Sequence, residues 1–180
     1  GLLALFLTIL FVVKGTSMFP ATAALSWAVL AYISVDFGFL SKLIEISPGN
    51  EQIWRASTEV GLAATFVVFL FTYLNLNRWH GHFSYAAIGW VLGLLALAGV
   101  AVVDPPVAAG VARISFAATA VIGIGLIVYL GIQNYDRAVM LIPSWVMVLV
   151  WMVGGWMAVT GMLDNDIVQP AIGGGLILII

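Results

Sequence analysis

The stretch SYAAIGWVLGLLALAGVAVV, Ser84 to Val103, runs its whole length without a charged residue. At 1.5 Å rise per residue it makes a helix of about 30 Å, the thickness of a hydrocarbon core. A strand of a membrane barrel would alternate apolar and polar residues over about ten positions, and this run is continuous. Backbone polar groups in lipid must be satisfied within their own segment, so the stretch reads as a transmembrane helix.

The rest of the chain agrees with it. Hydrophobic residues are 63% and charged residues 8% of the 180, against roughly half and a quarter in soluble domains. So few charges cannot clothe a water-facing surface, and the bilayer is the expected solvent. The net charge of -2 points away from nucleic acid. Cysteine is absent, which excludes disulfides and thiolate metal sites.

Charges and turn residues divide the sequence into apolar runs at 1–13, 21–40, 56–73, 84–103, 106–132, 142–163 and 167–180. The fold class predicted is an all-α polytopic membrane bundle, a single sensor or relay domain of seven transmembrane helices. The middle five reach roughly 27 Å or more; the outer two stop at roughly 20 Å. A span cannot end in mid-bilayer, so the first and last helices are expected to be truncated here and the natural protein to continue at both ends. Punctuation supports the divisions. Asp104 can cap the fifth helix with Pro105 and Pro106 behind it, Ser47-Pro48-Gly49-Asn50 reads as a turn, and Pro143 and Pro170 are placed in first turns.

Lys and Arg divide evenly between the two sides: Lys14, Arg78 and Arg137 against Lys42, Arg55 and Arg113. Discounting Arg113, which lies well inside its helix, leaves the first, third and fifth connections the more basic, and most acids lie opposite them. The orientation expected is N-terminus outside and C-terminus cytoplasmic. Tyr73, Trp79, Tyr85, Tyr129 and Tyr135 would then form an aromatic belt at the cytoplasmic interface.

Catalytic chemistry is not apparent. His80 and His82 have no cysteine and no acid nearby to complete a metal site, so they read as interfacial side chains, with no metal and no cofactor expected. With both in a loop, bis-histidine haem ligation within the bundle is unavailable. No lysine follows Lys42, so a retinal Schiff base is not offered. Ser115 and Ser144 lack a histidine partner in sequence.

Small residues and buried charges remain. Gly89 and Gly93 form a G-x-x-x-G, and Gly154 with Ala158 keeps that spacing; both read as helix packing, within the chain before a dimer seam. Gly173, Gly174 and Gly175 in the last run read as a hinge or as a very tight contact. Asp36, Glu59 and Arg113 penetrate the apolar runs to similar depth, Asp36 and Glu59 at roughly 6 Å and Arg113 at roughly 10 Å. Charges at that depth are expected to face inward and pair, either as a structural ion pair or as a ligand pocket or switch. Arg55 can also hold Glu59 by its i, i+4 spacing.

In the stretch Val67 to Arg78, VVFLFTYLNLNR, the third helix leaves the membrane through aromatic and leucine residues into a basic loop, and Trp54 stands just before that helix. With the seven-run pattern, this resembles the bacterial seven-transmembrane receptors with diverse intracellular signalling modules, over essentially the whole chain. The resemblance implies a bacterial inner-membrane sensor, commonly a homodimer, responding to a small-molecule or protein stimulus. It also implies a cytoplasmic output, either a histidine kinase or an enzyme of cyclic di-GMP turnover, absent from this chain, and offers no catalytic residue to carry over. A transporter would show inverted repeats and broken helices, and a structural subunit would end soon after the last helix; both stand as alternatives.

Overall fold

The computed structural model describes residues 5, 6, 8, 9, 18–39, 42, 48–79 and 81–159. Five long helices occupy them: α1 (Met18–Asp36), α2 (Pro48–Tyr73), α3 (Gly81–Val103), α4 (Pro105–Ile132) and α5 (Asp136–Val159), with a 3-10 turn at Leu76–Arg78. There is no strand among the described residues, and all five helices are long and apolar enough to cross a membrane. The run at 167–180 lies outside the described residues, as does most of 1–13.

The boundaries that differ most from expectation, by four residues or more, each have a local reason. α1 ends at Asp36 because Gly38 adopts φ 67, its amide donating to Val35 O at 3.0 Å, which closes the helix. α2 begins at Pro48, not Ala56: proline lacks the N–H that a first turn leaves unsatisfied, so Pro48-Gly49-Asn50 opens the helix and is not a free turn. α5 starts at Asp136, whose charge suits a helix N-terminus. Pro143 therefore lies inside α5, where its missing N–H deprives Val139 O of an i→i−4 partner.

The other ends follow their sequence signals. Asp104 Oδ1 accepts from Val107 N at 3.3 Å, an N-cap bond to the first turn of α4. α4 closes on Asn134 at φ 56, with Tyr135 N bonded to Leu130 O and Asn134 N to Gly131 O, the paired bonds of a Schellman motif. Asn75, at φ 49, performs the reversal after α2.

The chain divides into two compact units, Gly1–Phe116 and Ala117–Ile180, with α4 contributing to both. In the first unit α2 is the central helix. Val60, Ala63, Ala64 and Val67 meet Leu94 of α3 and Ala112 of α4; nearer the start of α2, Ala56 packs with Ala101 and Ala108. Alanine on all three helices lets their backbones approach closely, the usual source of association where lipid removes the hydrophobic drive between helices. Phe66 stacks on Phe116 with centroids 4.4 Å apart.

In the second unit, Ala138, Leu141, Trp145 and Val148 repeat along one buried face of α5 at steps of three and four. Trp145 Nε1 donates to Ala120 O of α4 at 2.9 Å, and its indole lies over Gly123. A Cβ built on Gly123 would stand 2.7 Å from Cε2 of that ring and 2.9 Å from Nε1. Trp145 is 3% exposed, so the ring has nowhere to retreat.

Candidate functional site

Glu59, one turn past Ala56 on α2, is 6% exposed. An ionised carboxylate in such a place needs partners. Arg113 of α4 supplies them as a fork: Nε donates to Oε2 and Nη2 to Oε1, each at 2.7 Å. Bidentate pairing of this kind is among the stronger polar contacts a protein makes. The two residues are fifty-four positions apart in the chain, brought together by the packing of Ala108 and Ala112 against α2.

Arg55 extends the cluster to α1. Its Nη2 lies 2.9 Å from Asp36 Oδ1, and its Nε 3.7 Å from Glu59 Oε1. The i, i+4 contact expected between Arg55 and Glu59 is thus the longer of its two, and the stronger partner is Asp36. With α1 ending at Asp36, the acid sits at a helix C-terminus, where the dipole disfavours a negative charge, and Arg55 offsets it. Two arginines and two carboxylates from α1, α2 and α4 thereby balance, and Glu59 Oε1 lies close to both cations.

The cluster is layered. Glu59 is buried, at 6% side-chain exposure, and Asp36 is partly buried at 16%, while Arg55 and Arg113 keep 51% and 64%. The structure thus brings Asp36, Glu59 and Arg113 into one network, Asp36 through Arg55.

A second polar contact was not read from the sequence. Trp90 Nε1 of α3 donates to Ser115 Oγ of α4 at 2.6 Å, which fastens α3 to α4 in the first unit. Its only sequence signal is a tryptophan and a serine in apolar runs, which spacing cannot match. Ser26 and Thr65 bond to carbonyls one turn back, so their hydroxyls are satisfied within their own helices.

The glycines differ in their surroundings. A Cβ built on Gly89, Gly93 or Gly154 meets nothing within 4 Å, so among the described residues these three make no close helix contact; Gly123 does. Gly173, Gly174 and Gly175 lie outside the described residues, as does His80. His82 is exposed in the first turn of α3, and no group of His, Asp and Glu able to hold a metal occurs among the described residues. In the second unit α4 and α5 leave an apolar crevice of ≈ 400 Å³ over Ile127, Val128, Trp145 and Leu149, lined without charge.

Helices of this length and apolarity, with Asp36 and Glu59 paired to arginines, define a multi-pass membrane protein. The match of all 180 residues to the family model described as 7TM diverse intracellular signalling carries that further: the chain belongs to this family, receptor-type membrane domains linked to intracellular signalling. No curated protein and no solved structure matches the chain.

Proposed function

We propose that this chain is the sensory and relay region of a bacterial inner-membrane receptor. It works as a homodimer, with its N-terminus outside and its C-terminus in the cytoplasm, where an attached histidine kinase or cyclic di-GMP enzyme is controlled. The stimulus is a small molecule or a protein. The observation that carries the relay reading is the sharing of Glu59 between Arg113 and Arg55. A carboxylate with two competing cations, themselves on different helices, has two pairings to choose between, and a stimulus that favours one would shift helix positions.

The test is made in the full receptor. Glu59→Gln preserves shape but removes the charge for which the arginines compete. We expect insertion to persist while the stimulus-dependent change in output, read as cyclic di-GMP level or kinase autophosphorylation, falls about 5- to 150-fold, the usual range of a coupling free energy. A normal response in a correctly inserted variant would overturn the switch.

Orientation is tested independently. Asn50 and His82 are exposed near the starts of α2 and α3, at opposite ends of successive helices. Single cysteines there should label from opposite faces, Asn50→Cys from outside with an impermeant maleimide and His82→Cys only after permeabilisation. The reverse pattern would invert the topology.

A further inference from the structure

Each guanidinium of the cluster is only partly used. Arg113 commits Nε and one edge of Nη2 to Glu59, and Arg55 commits Nη2 to Asp36, so the Nη1 groups of both have no partner among the described residues. Both side chains are more than half exposed, although each springs from a helix long and apolar enough to cross a membrane. A guanidinium at that level reaches for the interface along its alkyl stem and finds its remaining partners there. Two such cations held against one oxygen also repel each other.

An anion bridging their outer faces would relieve that repulsion and satisfy the remaining donors. The carboxylates are far less exposed than the two guanidinium groups, so the positive side of the cluster is the more accessible one.

We propose that Arg55 and Arg113 form a binding site for a phosphate group, with Asp36 and Glu59 as its counter-ions. The planar N–H fork of arginine matches a phosphate in two-point contact, as lysine does not. The phosphate comes either from an anionic lipid headgroup or from solution. This proposal deepens the sensory reading and rests on it for its consequence: a bound phosphate holds Arg55 outward and leaves Glu59 to Arg113.

The experiment uses the full receptor in phosphatidylcholine nanodiscs. One arm adds phosphatidylglycerol, and the other adds inorganic phosphate with chloride matched for ionic strength. Binding is read as thermal stabilisation, and as lipid retained in native mass spectra. Wild type should be stabilised by at least one of them, the lipid arm identifying a headgroup site and the phosphate arm a soluble ligand. Arg55→Gln keeps the Arg113–Glu59 fork and should bind at least about tenfold more weakly, the effect of losing one charged hydrogen bond. Arg113→Lys keeps a cation on Glu59 and should weaken binding likewise. No stabilisation by either anion, or stabilisation unchanged in both variants, overturns the site. A Glu59→Gln receptor that loses its response while wild type binds neither anion would separate the two ideas, leaving the switch and removing the phosphate.

Discussion

Arg113→Ala is expected to destabilise the bundle by about 3 to 5 kcal/mol, the cost of leaving a buried partner unpaired. The asymmetry of burial explains why. Glu59, at 6% exposure, cannot find water when the fork that holds both of its oxygens is removed. Arg55 lies 3.7 Å from one of them and is already engaged with Asp36, so it is a partial substitute. Glu59→Gln should cost much less, because Arg113 is largely exposed and can turn its charge outward. The double variant Glu59→Gln, Arg113→Ala should recover a good part of the loss, since no buried charge remains. Reversible unfolding in mixed micelles measures all three. An Arg113→Ala protein within about 0.5 kcal/mol of wild type, the scatter of ordinary surface substitutions, would mean that the fork contributes nothing to the fold.

The second large effect is expected at Gly123. One methyl group there should destabilise the protein by about 1 to 3 kcal/mol, as overpacking does in a filled core. The atom of Trp145 that it meets most closely, Cζ2, lies on the outer ring of the indole, beyond the reach of a phenyl ring. Trp145→Phe should therefore rescue Gly123→Ala, although by itself it forfeits the bond to Ala120 O. The double variant should be more stable than the two single losses added together predict, and strict additivity would sink the contact. Gly125, two positions on, meets nothing within 4 Å, so Gly125→Ala is the control and should be nearly silent.

These two contacts differ in how far the sequence foretold them. Glu59 and Arg113 are separated by fifty-four residues, yet both are charges inside apolar runs, and the expense of a charge in lipid is enough to expect pairing at a common depth. The Arg55–Asp36 contact was hidden because it depends on where α1 stops. Gly38 at φ 67 moves that end to Asp36, and neither apolar length nor composition carries a dihedral angle.

Helix starts were misplaced for a related reason. Asp136-Arg137 and Glu51 looked like loop because they are charged, but they belong to first turns, where charge meets the interface. Pro48 and Pro143 then exchanged roles, the first opening a helix and the second lying within one.

The glycines show how spacing and contact differ within one chain. Gly89 and Gly93 have the spacing of a packing motif, but among the described residues nothing lies close to them. Gly123 has a close neighbour because a tryptophan on the next helix points at it. Spacing describes one helix alone, whereas contact is a property of two.

The length of α2 has a mechanical meaning. Its 26 residues make a rod of about 39 Å, longer than the hydrocarbon slab is thick. It has no proline after its first residue and one internal glycine, Gly61, away from its opening turn. Such a rod does not fold in the middle when one end is loaded. A push or twist applied around Glu51 reaches Tyr73 as sliding or rotation of the whole shaft, and a thinner bilayer, by forcing the shaft to tilt, would load it in the same way.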